Sequence, residues 1–166
     1  MGESSLILDM FGPHAAPVDG RQSAAATVIA RGTMRALRTL GFAVVTELPL
    51  ATGRRADLFA FDRSGTVWIV EIKSSVADFR ADRKWPDYRL SCDRLHFAVD
   101  AAFPLDILPP ETGVFVADAY GAALVREAPL HPLPATRRKA VTLNAARVAA
   151  LRLHGLLDPH QGGEII

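Results

Sequence analysis

The chain is short of the residues that staple or metallate a small fold. It holds one cysteine, Cys92, which excludes an internal disulfide and a cysteine-rich zinc site. Its histidines, His14, His96, His131, His154 and His160, fall at no metal-ligand spacing. No apolar run approaches the ~18 residues of a membrane span, so no membrane association is expected. The opening MGESSLILDMFGPH carries Glu3 and no basic n-region, which argues against a signal peptide. Helix-turn-helix and zinc-finger patterns, internal repeats and low-complexity segments are absent. Net charge is only +1, so global charge does not demand nucleic acid and any basic surface must be local. Scarce cysteine without a targeting signal fits a reducing, cytoplasmic compartment.

What is present fits one globular domain of 166 residues with a sizeable core. Residues 1–20, rich in Gly and Pro, read as an N-terminal arm, 21–156 as the domain and 157–166 as a C-terminal tail. Helical spacing of Ala24, Val28, Ile29, Leu37 and Leu40 predicts a helix from Arg21 to Leu40, stopped by Gly41. Gly32 within it costs about 1 kcal/mol relative to Ala and has a use if the helix packs closely on a sheet. Arg31, Arg35 and Arg38 form one stripe on that helix, either a solvated face or a phosphate-contacting edge. Phe42–Leu50 reads as a strand whose only charge is Glu47.

Arg55–Phe61 and Thr66–Lys73 read as a β-hairpin. A three-residue loop, Arg63-Ser64-Gly65, puts Gly65 at the left-handed position that such loops prefer. That register sets Asp57 opposite Glu71; a four-residue loop would send them to opposite faces. Ser75 and Asp78 approximate a capping box for a following helix. Leu95–Asp100 is a further strand, Val114–Asp118 and Ala122–Glu127 a second hairpin, and Thr136–Leu156 a long closing helix. The basic start of that helix, Arg137, Arg138 and Lys139, opposes its dipole and hints at another use, such as phosphate. The element order predicts an α/β (α+β sandwich) fold, a mixed central sheet with helices on its faces.

The informative conflict lies in the most apolar strand, Val67–Ile72. Glu71 and Lys73 sit on one face of it, and buried charges are costly unless paired or metal-bound. Asp57 and Glu71 at the ends of adjacent strands make a hard-oxygen site for Mg²⁺ or Mn²⁺, with the Ile72 carbonyl as a further ligand. A lysine beside them orients or deprotonates water, or stabilises charge at phosphorus. Together these parts describe metal-assisted phosphodiester hydrolysis. The structural alternative is salt bridging: Glu71 with Lys73, and Asp57 with Arg54, Arg55 or Arg83. Lys84, Trp85 and Tyr88 join a cation to aromatics, chemistry that steers single-stranded nucleic acid, or else pack under the Pro86 turn. Asp87 and Asp93 either support the site or cap short helices. Cys92 reads as a small core residue.

The residues Ala56-Asp57 and Glu71-Ile72-Lys73 resemble the motif of the PD-(D/E)XK, restriction-endonuclease-like nuclease superfamily. The wider string GRRADLFAF…VEIKSSVADFRADRKWPDYRLSCDRLHFAV resembles the MmcB-like family within it, a bacterial family associated with DNA repair. The resemblance spans roughly Arg21 to Glu127. It implies a restriction-endonuclease-like mixed sheet flanked by helices, with Asp57 and Glu71 as metal-binding acids and Lys73 as catalytic lysine. It also implies DNA as partner and other repair proteins as further partners; the chain's own cations and aromatics make Arg31, Arg35, Arg54, Arg55, Lys84 and Tyr88 the candidate DNA contacts. Ala56 replaces the usual proline. The acid that many members carry on the first helix is missing, and Glu47 is the candidate substitute. Superfamily members also serve as inactive binding modules, so a DNA-binding adaptor on the same fold is the alternative. For an active site, Lys73 should be near both acids and open to solvent.

Overall fold

A computed structural model describes residues 23–159; the arm and most of the expected tail lie outside them. The first helix, α1 (Ala24–Thr39), starts three residues later than the pattern predicts. Ser23 takes the N-cap, its Oγ accepting from the Ala26 N–H at 3.1 Å, which satisfies one of the open donors of the first turn. The helix ends on Gly41 at φ +90°. The Gly41 N–H donates to Arg38 and the Phe42 N–H to Leu37, both at 3.0 Å, closing the last carbonyls in a Schellman arrangement.

Six strands follow in one sheet, in spatial order β1 to β6: β1 (Ala43–Pro49), β2 (Arg55–Phe61), β3 (Val67–Ile72), β4 (Arg94–Val99), β5 (Gly113–Ala117) and β6 (Ala122–Arg126). β1, β2 and β3 are antiparallel neighbours. β3, β4 and β5 run parallel, and β6 returns antiparallel. The mixed α+β sheet expected from the element order is therefore present. The parallel step from β3 to β4 needs a crossover, supplied by α2 (Val76–Ala81) and the 3₁₀ segment Trp85–Ser91. Ser75 caps α2, its Oγ accepting from the Asp78 N–H at 3.1 Å.

The hairpin between β2 and β3 has the three-residue loop. Phe61 pairs with Val67 and Leu58 with Val70, and Gly65 takes φ +82°. Asp62 organises the turn, its Oδ1 accepting from the N–H groups of Ser64 and Thr66, both at 2.9 Å.

Alternation along β3 divides the core. Val70 and Ile72 pack with Leu58, Ala98 and Phe115 beneath Ile29 and Leu37 of α1. Val67 and Ile69 face the other way, with Phe59, Leu95, Tyr88 and Cys92, beneath Ala145 and Val148 of the closing helix α3 (Ala135–Leu157). Helix α3 takes in Leu157, the first residue assigned to the tail. It also covers the β1 edge: Asn144 donates to the Pro49 carbonyl at 2.7 Å, and Arg152 to those of Thr46 at 2.6 Å and Glu47 at 3.2 Å.

Gly32 of α1 lies against the turn between β5 and β6, where a Cβ would sit 2.0 Å from the Asp118 carbonyl oxygen. On the α1 face a row of rings crosses the sheet from Phe42 through Trp68 and His96 to Phe115. Burial pushes the His96 pKa down to about 3, so its imidazole is neutral there.

Two readings of basic and acidic residues are corrected here. Arg138 does not face phosphate. It bonds Asp93 through two contacts of 2.6 and 2.7 Å and the Gly65 carbonyl at 2.7 Å. Asp93 in turn accepts from the N–H groups of Val67 and Leu133. Val67 begins β3 and Glu71 lies near its end, so Asp93 ties together the far end of that strand and cannot support the acid pair.

Candidate active site

The sheet ladder between β2 and β3 stops at Leu58–Val70, one step before Asp57 and Glu71. Beyond it, side chains replace the backbone pairing. The Asp57 N–H donates to Glu71 Oε1 at 3.2 Å, and the Ile72 N–H donates to Asp57 Oδ2 at 2.8 Å. On the other side of β3 the Lys73 N–H donates to the Ala98 carbonyl at 2.9 Å. The N–H and C=O of Ile72 therefore both face β2, and the Ile72 carbonyl opens into the same gap as the two acids. Glu71 and Lys73 extend the apolar row of Val67 and Ile69, and are only 3% and 5% exposed.

The register of β1 on β2 continues this row. Thr46 pairs with Leu58 and Leu48 with Ala56, which leaves Glu47 opposite Asp57. Glu47 adopts φ +49°, a left-handed conformation uncommon for a residue with a Cβ. The strand changes phase there: Val45 and Leu48, three residues apart, both pack into the core beneath α3. The Glu47 carboxylate forms an ion pair with Arg55 Nε at 2.5 Å. Among the described residues no group of three or more His, Cys, Asp or Glu side chains is arranged to hold a metal. Glu47 thus flanks Asp57 without completing a three-acid cluster.

Electrostatics follow from burial and proximity. Burial raises the Asp57 pKa to about 6, helped by the Glu47 charge and opposed by the Ile72 N–H, Lys73 and Arg55. Burial, then the Asp57 charge, pushes Glu71 well above the usual carboxylate range, against the Asp57 N–H, Lys73 and the Tyr88 hydroxyl. Two acids that resist ionising side by side, next to an open carbonyl, form a donor set that fits a divalent cation.

Lys73 departs from the expectation of an exposed amine. Its Nζ forms an ion pair with Asp82 Oδ2 at 2.7 Å, and no Glu71–Lys73 bridge forms. Burial works against its charge, but Asp82 outweighs burial and raises the Lys73 pKa. Lys73 and Asp82 are bonded across a whole helical turn, a contact that no sequence spacing announces, and Asp82 was not among the expected site residues.

The other expected residues separate into two groups. Arg54 is near the site and donates from Nε and Nη2 to Asp87 Oδ2, at 3.0 and 2.8 Å. Arg55 holds Glu47. Lys84 is exposed, and its N–H donates to Asp82 Oδ1 at 3.0 Å. Tyr88 is not a stacking platform. It is buried, its hydroxyl donates to the Arg55 carbonyl at 3.1 Å, and burial with the nearby Glu71 charge raises its pKa. Trp85 packs among core rings against Phe97. Arg31 and Arg35 lie on α1, across the sheet from the acids, and are not brought to them. Arg35 instead donates to the carbonyls of Ala119 and Tyr120. Cys92 is a core residue, its thiol pushed up to about 12 by burial.

A mixed six-stranded sheet flanked by helices, with paired acids and a lysine at the end of its hairpin, is consistent with a restriction-endonuclease-like fold. Residues 13–160 match the family described as DNA repair protein MmcB-like, and the chain belongs to that family. It is similar to the solved structure of the SPO1766 protein of unknown function from Silicibacter pomeroyi. The two are 43% identical with a TM-score of 0.82, over 87% of this chain and 99% of that one. No curated protein matches the chain. No helix among the described residues is long and apolar enough to cross a membrane.

Proposed function

We propose that the chain is a Mg²⁺- or Mn²⁺-dependent deoxyribonuclease acting in DNA repair. The observation that carries this reading is the opposition of Asp57 and Glu71 across a broken ladder, both acids held above their ordinary pKa. Asp57, Glu71 and the Ile72 carbonyl would hold the cation. When bound, it supplies Lewis-acid stabilisation of a phosphodiester and a water of lowered pKa. The chain's own contribution is positional. The ladder ends fix both carboxylates through backbone N–H groups, and the buried setting strengthens every charge within it. The Lys73 ammonium donates hydrogen bonds where negative charge develops on the phosphate. Arg55 and Lys84, both exposed, are candidates to steer the DNA backbone.

The test is cleavage of single-stranded, duplex and branched DNA with Mg²⁺ or Mn²⁺. Activity should vanish in Asp57→Ala and Lys73→Ala. A second reading, a DNA-binding or adaptor protein without catalysis, is favoured by the burial of Lys73 and its pairing with Asp82. DNA binding at low salt, unchanged in both variants and with no cleavage by the wild type, would support it.

A further inference from the structure

Asp82 is held at every polar atom that matters to its direction. Its N–H donates to the Phe79 carbonyl at 3.2 Å, closing α2. One carboxylate oxygen accepts from the Lys84 N–H at 3.0 Å and the other from Lys73 Nζ at 2.7 Å. Phe79 anchors this turn, its ring edge-on to Phe97 at 5.5 Å and to Phe103 at 6.3 Å between centroids. The position of the Asp82 carboxylate is thus traceable through the turn to the core. Lysine, by contrast, brings a flexible four-carbon stem with about 2 kcal/mol of rotamer entropy, so an unanchored Lys73 would sample many places.

The charge balance gives this anchoring a second effect. A buried ammonium beside one buried and one half-buried carboxylate would ordinarily neutralise one of them. Here the cluster holds three acids, Asp57, Glu71 and Asp82, around Lys73. Because Asp82 takes the lysine's ion pair, Lys73 acts on Asp57 and Glu71 only from a distance, and their pKa values stay raised. We propose that Asp82 is the positioning residue of this site: it fixes the Lys73 ammonium beside the acids while keeping it from occupying the cation's place at Glu71. This rests on the metal-site reading above and goes beyond it, because it makes cation affinity depend on a residue that does not touch the cation.

Asp82→Asn tests it, since the amide oxygen still accepts from the Lys84 N–H while the amide nitrogen, a donor, no longer accepts from Lys73 and the charge is lost. Calorimetric Mn²⁺ binding is compared in the full-length wild type, Asp82→Asn, Lys73→Gln and the double variant, each shown to be folded by circular dichroism. The expected result is a roughly tenfold weaker Kd in Asp82→Asn. In the double variant, where no ammonium is left to compete, affinity returns to within about twofold of Lys73→Gln. Lysine side-chain NMR gives a readout without metal. The chain's lysines are Lys73, Lys84 and Lys139. The Lys73 signal should shift in Asp82→Asn while the other two stay in place. In the cleavage assay kcat should fall with KM for DNA unchanged. Unaltered Mn²⁺ affinity in Asp82→Asn, or a double variant as weak as Asp82→Asn, overturns the proposal. A wild type that binds no Mn²⁺ overturns the metal-site reading itself, and this proposal with it.

Discussion

Asp57 and Glu71 each carry the other's strand: the Asp57 N–H rests on the Glu71 carboxylate, and the Asp57 carboxylate takes the N–H of the residue after Glu71. Placing two acids this close and this deep opposes their ionisation. The consequence is a pH-dependent stability. The folded Asp57 pKa lies near 6 against an ordinary 3.8, so the folded state retains a proton that the unfolded chain releases. The group's contribution to stability is complete below the unfolded value and is lost as pH rises through the folded one. Each pH unit crossed between the two costs about 1.4 kcal/mol. In metal-free buffer Asp57→Asn should therefore gain stability relative to the wild type as pH rises from 4 to 7, and the gap should close at pH 4. Urea unfolding at a series of pH values measures it; a gap that does not change with pH contradicts the placement of these acids.

A divalent cation should reverse that penalty. A ligand that binds only the folded state stabilises it by about 1.4 kcal/mol at ten times its Kd. Millimolar Mg²⁺ or Mn²⁺ should raise the wild-type Tm at neutral pH. The rise should be absent in Asp57→Asn/Glu71→Gln, where side-chain amide oxygens still accept from the backbone N–H groups but the charges are gone.

Asp93 is expected to be purely structural. It is 2% exposed and satisfies Arg138 and the N–H groups of Val67 and Leu133. Asp93→Ala leaves these donors and a cation unpaired, at a cost of about 3–5 kcal/mol. Denaturant unfolding should report that loss, while Mn²⁺ affinity of the protein that remains folded stays at the wild-type value.

The two informative glycines differ in kind. Gly32→Ala drives a Cβ into the backbone carbonyls of Asp118 and Gly121, which do not move aside cheaply, and should cost about 1–3 kcal/mol. Gly65→Ala makes only an ordinary contact with the Arg138 side chain at 3.9 Å and suffers from the backbone at φ +82°, a cost of about 1 kcal/mol. Thermal unfolding should rank Gly32→Ala as the more damaging.

The hairpin register was legible in the sequence because a local rule fixes it: Gly65 wants the left-handed position, and strand alternation then places Asp57 opposite Glu71. The start of α2 was legible for the same reason, through Ser75 and Asp78. What stayed hidden depends on contacts with no period. The periodicity of α1 locates its apolar stripe but not which sheet face receives it, so the sequence did not show that Arg31 and Arg35 lie across the sheet from the acids. Arg138 meets Asp93 across 45 residues. Lys73 meets Asp82 only because a six-residue helix ends where it does, and so an expected open amine proved to be an anchored one.

The two rims of the sheet differ in what they offer a neighbour. The carbonyls of Thr46, Glu47 and Pro49 on β1 are occupied by Arg152 and Asn144, whereas no side chain among the described residues is bonded to a carbonyl of β6. Among the described residues, β6 is the rim left open for copies to join strand to strand. Two β6 rims paired together would turn the capped β1 rims outward at both ends, so that growth stops at a pair and cannot run on into a fibre.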